Sequence, residues 1–243
     1  MGMGSGTRKG RLDFWEQLPH ERKKTIAYHV AGQAAMHFFF CSGFYDINMR
    51  GNHEIKSMVR EPMTPPELVI EYYKSCPIMG IEPARSRAMT SSMEMLGGPC
   101  AENMLVNGDS RWLDRLYESH RDHNLTGQTD LSRVIRYSRA LYGDAGMADR
   151  FIRRMATWTQ EALSMPRLWG VVESLAERLI NQKTMSGDAA YTIMGKAWGD
   201  KEHVPYCSIK KWRRRVFRKM IRNVPAPGDN DQTGADDAAS LSP

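Results

Sequence analysis

The chain has 243 residues, of which 41% are hydrophobic and 26% charged, and its formal net charge is +6. This balance is typical of a globular chain that can bury a core. No run approaches the roughly 18–20 apolar residues that span a bilayer, and the amino terminus lacks the apolar core of a secretory signal. The four scattered cysteines include no C-x-x-C pair, so we expect reduced thiols in a cytoplasmic protein.

The positive charge is concentrated near the carboxyl terminus. Eight Lys and Arg residues and no acidic residue lie between 203 and 228, whereas the last fifteen residues carry four aspartates and no basic residue. The rest of the chain is close to neutral, so the net positive charge belongs to this one segment. We predict four regions: a flexible lead at 1–18, a helical domain at 19–200, a basic amphipathic helix at 203–224 and a disordered acidic tail at 225–243.

Apolar residues at helical spacing predict a first helix from about Pro19 to Phe40, which Gly43 ends. The stretch 44–63 alternates briefly around Gly51-Asn52, which indicates a small hairpin or two short strands. The segment "TPPELVIEYY" then restarts a helix.

Further along, "RAMTSSMEMLGGPCAENML" predicts two short helices that meet at Gly97-Gly98. A polar segment leads to Asp130, where "DLSRVIRYSRALYG" begins an amphipathic helix that Gly143 ends. A longer helix is predicted over 166–182. The predicted fold class is mainly α, with a small β-hairpin or two to three short strands.

Residues 29–33 read H-V-A-G-Q, which is the frame of the zinc-protease helix H-E-x-x-H with two changes. Three later segments follow in order: "GGPCAE" at 97–102, "TGQTDL" at 126–131 and "LAERLINQKTMSGD" from Leu175. Together they resemble the H-E-A-G-H-A, G-G-x-A-A-E, T-G-x-x-N-D-L and L-A-x-x-L-L…T-L-x-G motifs of the FtsH-type peptidase domain, the proteolytic half of membrane AAA proteases. The third segment is one residue shorter than its motif and lacks the Asn. The resemblance spans about residues 20–195.

The resemblance implies a multi-helix FtsH-peptidase-like domain with a degenerate zinc site. In that family the two motif histidines and the Asp of N-D-L bind zinc, and the motif Glu is the general base. His29 and Asp130 match ligand positions and remain as remnant ligands, while Gln33 stands at the lost ligand position and Val30 at the position of the base. A carboxamide is a poor zinc ligand and valine cannot accept a proton.

The degenerate motif favours a catalytically inactive pseudopeptidase that binds a polypeptide or assembles with other chains, and that needs no cofactor. One alternative is an atypical, ATP-independent zinc metalloendopeptidase that uses His29 and Asp130 with a further ligand, with Glu102 as its outside candidate for a carboxylate. In a third interpretation His29 is not a metal ligand: it packs at a helix–helix contact, and Asp130 satisfies the hydrogen-bonding groups of its ring. The ATPase half of the family is missing, because the chain has no G-x-x-x-x-G-K-[ST] phosphate loop.

Other histidines are weaker candidates for a metal ligand. His37 lies two turns beyond His29, about 12 Å along a straight helix, so both could hold one ion only across a sharp kink. His120 and His123 share a helical face within a polar run, a pattern that is more often solvated surface.

The segment 208–223 forms a basic amphipathic pattern, with apolar residues on one side and Lys and Arg around the rest. A second alternative is therefore an adaptor that uses this segment to contact a membrane surface, a nucleic acid or an acidic partner. The same pattern also suits a terminal helix packed on the body. A lipid contact would make the cytoplasmic protein peripherally membrane-associated. The candidate contact residues are Lys210, Lys211, Trp212, Arg213, Arg214 and Arg215.

Overall fold

The computed structural model of the chain describes residues 15, 18–40, 42, 44–48, 55–57, 65–75, 82–109, 111–122 and 130–199. This part is mainly α-helical with short strands, which confirms the predicted fold class. The helices are α1 (His20–Phe40), α2 (Pro66–Ser75), α3 (Glu82–Leu105), α4 (Trp112–Asp122), α5 (Asp130–Tyr142), α6 (Ala145–Leu163), α7 (Pro166–Asn181) and α8 (Gly187–Trp198). The strands are β1 (Phe44–Asn48), β2 (Ile55–Ser57) and β3 (Thr184–Ser186).

Two central helices, α1 and α3, carry the core. Both bury residues on most sides, because α1 packs against α3 and α7 while α3 also packs against α5 and α6. A helix covered in this way has little amphipathic character, in contrast to the outer helices α5, α6 and α7, which bury one face. The central pair therefore fixes where the surrounding helices can lie.

The two central helices approach each other most closely at glycines. A Cβ atom added at Gly32 would lie 2.5 Å from Ala101 Cβ, and one added at Gly97 would lie 2.7 Å from the carbonyl oxygen of Gly32. Real Cβ atoms do not come this close to their neighbours, so only glycine permits the crossing.

The prediction of two short helices meeting at Gly97-Gly98 is wrong. Helix α3 continues through both glycines and Pro99 from Glu82 to Leu105. Glycine and proline lower intrinsic helix propensity, but most helical stability in a folded protein comes from packing, and here the glycines bring α3 against α1. These glycines therefore form the helix–helix contact and do not interrupt α3.

Two helices, α4 and α6, are not among the elements that the sequence predicts. The polar segment before Asp130 contains α4, whose Trp112 and Leu113 are buried. Helix α6 has no counterpart among the predicted elements; its amino end is capped by the Asp144 side chain, which accepts a hydrogen bond from the Met147 backbone N–H. The predicted helix before Gly143 is confirmed as α5, and Gly143 has a positive φ of 74°.

The strands form one small antiparallel sheet in the order β2-β1-β3. The predicted hairpin is confirmed as β1 and β2, and β3 joins from much later in the chain. Strand β3 leads directly into α8, where the Ser186 side chain accepts a hydrogen bond from the Ala189 backbone N–H. The sheet thus ties the end of α1 to the start of α8.

Several predicted features lie outside the described residues. They include most of 1–18, the segments 203–224 and 225–243, and three of the four cysteines. The described cysteine, Cys100, is a buried free thiol, and burial raises its pKa to about 12. Among the helices that the structure describes, none has the length and apolar character needed to cross a membrane.

The substitution Gly32→Ala should lower the free energy of unfolding by about 2 kcal/mol, because the new methyl group collides with α3 backbone and with Ala101. The matched control is Gly170→Ala in α7, where nothing lies within 4 Å of the added Cβ atom. That change should raise stability by up to about 1 kcal/mol through helix propensity. Urea titration of both variants tests the contrast, and equal effects would contradict the tight crossing.

Candidate functional site

Helix α1 directs His29 towards α3, where Gly98 leaves room for its ring. A Cβ atom added at Gly98 would lie 2.6 Å from His29 Nε2 and 2.7 Å from Cδ2. The imidazole therefore lies against the bare backbone of α3, and 22% of its side-chain surface remains exposed. The lack of a side chain at Gly98 thus makes space for the His29 ring.

Two carboxylates flank the His29 ring on its two nitrogen atoms. Glu102 Oε1 lies 2.8 Å from Nδ1, and Asp130 Oδ2 lies 3.6 Å from Nε2. Glu102 is on α3, one turn beyond Gly98, and Asp130 is the first residue of α5. Because three helices contribute to it, this arrangement depends on the tertiary packing of α1, α3 and α5.

Gln33 completes the group through Asp130. Its Nε2 donates a hydrogen bond of 2.5 Å to Asp130 Oδ2. An ionised carboxylate only accepts hydrogen bonds, so it is the NH₂ group of the carboxamide that faces it. We call His29, Gln33, Glu102 and Asp130 the His29 centre.

The His29 centre holds its histidine in the charged form. Burial by itself would lower the pKa of His29, but hydrogen bonds to Asp130 and Glu102, together with their negative charges, raise it to about 9. At neutral pH the imidazolium therefore lies between two carboxylates. The positive charge of His29 therefore balances the negative charges of Glu102 and Asp130.

The residues of the centre do not fit a catalytic zinc ion. Such an ion takes three protein ligands, and here only His29 Nε2 and Asp130 Oδ2 face one another. Gln33 offers Asp130 an N–H donor, which cannot act as a ligand. Among the described residues, no group of three or more His, Cys, Asp or Glu side chains is placed to hold a metal ion.

Val30 stands at the position that the resemblance assigns to the general base. Val30 is fully buried and has no atom that accepts a proton. Glu102 was the outside candidate for a carboxylate near His29, and it does lie beside the ring. Glu102 contacts Nδ1, however, on the side of the ring that faces away from Asp130. A carboxylate in this position orients the imidazole. The sequence alone gave no signal for this orienting role or for the bond between Gln33 and Asp130.

His37 belongs to a separate cluster. Its Nδ1 lies 3.3 Å from Ser42 Oγ and 3.5 Å from Glu94 Oε1, and the Ser42 hydroxyl donates a hydrogen bond to the same Glu94 oxygen. His37 is thus satisfied two turns away from His29 and is not directed into the His29 centre. The side chains of His120 and His123 and the candidate contact residues Lys210, Lys211, Trp212, Arg213, Arg214 and Arg215 lie outside what the structure describes.

No model of a known protein family matches this chain, and no curated protein matches its sequence. The likeness to the FtsH-type peptidase domain therefore rests on the order of the short motifs. The structure adds that three residues from separate motifs, His29, Glu102 and Asp130, lie together in space.

The charged form of His29 should make the stability of the fold depend on pH. Because the pKa is about 9 in the folded chain and 6.5 in the reference state, the stabilisation is complete below about pH 6.5 and is lost as the pH rises through 9. Its upper bound is about 3 kcal/mol.

Urea unfolding of the wild type and of His29→Gln across this pH window measures the effect. The variant should lose the pH-dependent part of the free energy of unfolding, while the control His20→Gln, an exposed histidine at the start of α1, should keep it. An unchanged pH profile in His29→Gln would show that His29 is not the titrating group.

Proposed function

We propose that this chain is a catalytically inactive FtsH-peptidase-like domain that binds a polypeptide or assembles with other chains. One observation carries the proposal: Gln33 donates to the same Asp130 oxygen that faces His29 Nε2. The two retained ligand atoms are therefore committed to groups of the chain. Hydrolysis would also need a base, and the position of the base is occupied by buried Val30.

The exposure of the His29 centre supports a binding role. About a third of the side-chain surface of its carboxylates is open to solvent, 39% for Glu102 and 31% for Asp130. Carboxylate oxygens accept hydrogen bonds from backbone N–H groups and from basic side chains. A polypeptide lying across the ends of α3 and α5 would find such acceptors there.

The sequence left two alternatives, a zinc metalloendopeptidase and an adaptor, and the described residues bear on the first alone. An atypical zinc metalloendopeptidase would need Gln33 to give up its bond with Asp130 and would still lack a base at Val30. The adaptor hypothesis depends on 208–223, which the described residues do not include, so it stays a prediction.

Zinc content per chain, measured by elemental mass spectrometry on protein purified without added metal, tests the inactive state. We expect a zinc content far below stoichiometric and no cleavage of peptide substrates, because Gln33 replaces a ligand and Val30 replaces the base. A stoichiometric zinc content with peptide cleavage would overturn the proposal.

Binding of a permanently unfolded polypeptide, such as fluorescently labelled carboxymethylated casein, tests the proposed role. Asp130→Asn should weaken saturable binding by about tenfold, because a charged hydrogen-bond acceptor is lost. Glu177→Gln removes an exposed carboxylate on α7 and is the matched control, which should bind like the wild type. Equal weakening in both variants would point to non-specific charge attraction instead of a site at the centre.

A further inference from the structure

Helix α3 is followed by Asn107-Gly108, which is the one Asn-Gly pair in the 243 residues of the chain. We propose that Asn107 is a modification site, at which the side-chain amide is lost by spontaneous deamidation, and that the hydrogen bonds at the end of α3 control the rate. None of the residues involved belongs to the His29 centre, so this proposal does not depend on the proposed function.

The reaction needs only the two residues and water. The backbone nitrogen of Gly108 attacks the side-chain carbonyl carbon of Asn107, and the side-chain nitrogen leaves as ammonia with the proton of the Gly108 N–H. Water then opens the succinimide ring at either of its carbonyl groups, so the product is aspartate or isoaspartate and nothing is oxidised or reduced. Glycine favours the first step, because it has no side chain to hinder its nitrogen and its backbone rotates freely.

Asn107 is open to solvent and has an unusual backbone conformation. The residue is exposed, and its φ of 49° lies in the left-handed region. Among the described residues other than glycine, no second one has a positive φ. Asparagine tolerates this conformation better than most residues and often occupies it directly after a helix. Water therefore reaches the residue, while the fold sets the position of the nitrogen that must attack it.

The attacking nitrogen is held by a hydrogen bond of its own. The Gly108 N–H donates to the carbonyl oxygen of Asn103 at 2.8 Å, and the Asn107 N–H donates to the carbonyl oxygen of Met104 at 3.1 Å. These are the two hydrogen bonds of a Schellman motif, which we call the α3 cap. Ring closure requires the first of them to break, so the reaction proceeds from the small fraction of molecules in which the cap is open.

Side chains of α3 and α4 hold the α3 cap closed. The Asn103 side chain is buried; its Nδ2 donates to the carbonyl oxygen of Asp109 at 3.2 Å, and its Oδ1 accepts a hydrogen bond of 3.1 Å from Arg115. Arg115 also forms an ion pair of 2.7 Å with the Asp109 carboxylate. A Cβ atom added at Gly108 would collide with the Asn103 side chain, so the fold requires glycine next to Asn107. The same packing thus demands the reactive pair and slows its reaction.

Either product alters the end of α3. Aspartate adds a negative charge two residues before Asp109, and isoaspartate adds a methylene group to the main chain. The longer main chain displaces Gly108 from Asn103, so their hydrogen bond is lost. We expect the modification to loosen the connection between α3 and α4.

The test is peptide mass spectrometry of the full chain during incubation at mildly alkaline pH, with fragmentation that separates isoaspartate from aspartate. We expect the mass change of an amide-to-acid conversion at Asn107, and far less of it at Asn181, an exposed asparagine that precedes Gln182. Unfolding in urea should speed the conversion at Asn107 by at least about tenfold, because the cap no longer holds the Gly108 nitrogen. No more conversion at Asn107 than at Asn181 would overturn the site, and equal rates with and without urea would overturn the control by the cap.

The substitution Arg115→Met loosens the α3 cap without changing the Asn-Gly pair. It should raise the rate at Asn107 in the folded chain by about threefold, since Asn103 and Asp109 lose a charged partner. The matched control is Arg167→Met, at an exposed arginine on α7, which should react like the wild type. In urea all three proteins should react at one rate. Equal rates for the two folded variants would overturn the role of the cap.

The substitution Asn107→Gly removes the amide and keeps a residue that adopts a positive φ. It should abolish the acidic charge variant that ion-exchange chromatography separates from the aged wild-type chain. An acidic variant that forms as fast in Asn107→Gly as in the wild type would show that the amide is lost elsewhere, and would overturn the proposal.

Discussion

The close crossing of α1 and α3 is the constraint on which the rest of the structure depends. Gly32 and Gly97 let the two backbones approach until only glycine fits between them. Both helices are then covered on most sides by α5, α6 and α7. Because the core is closely packed, a small change in the separation of α1 and α3 would displace side chains throughout it. The functional candidates lie on this same interface, which means that their geometry is set by packing.

The crossing also brings polar side chains together in register. Because the two helices run in opposite directions, His29 faces Glu102 at one end of the interface and His37 faces Glu94 at the other. Each pair has further partners, Asp130 in the first case and Ser42 in the second. Polar groups this close to a core need such partners, because an unpaired charge there would be costly.

The charges of the His29 centre are balanced by its own side chains. Two carboxylates near one another repel unless a positive charge lies between them, and in this chain the imidazolium of His29 supplies it. The NH₂ group of Gln33 adds a donor to the same Asp130 oxygen. The carboxylates of the centre are therefore matched by a positive charge and by a hydrogen-bond donor from the same chain.

The sequence by itself determined the fold class, the first helix and the hairpin, because helical periodicity and strand alternation are local properties. The candidate residues His29, Gln33 and Asp130 came from the resemblance to the FtsH-type motifs. Only the tertiary structure decided that Gly97 and Gly98 continue a helix, that the polar segment contains α4, and that Glu102 contacts His29 Nδ1. Local propensity disfavours glycine in a helix, whereas packing against α1 favours it there. The partners of His29 come from three helices distant in sequence, so no local pattern could fix their distances or the charge of the ring.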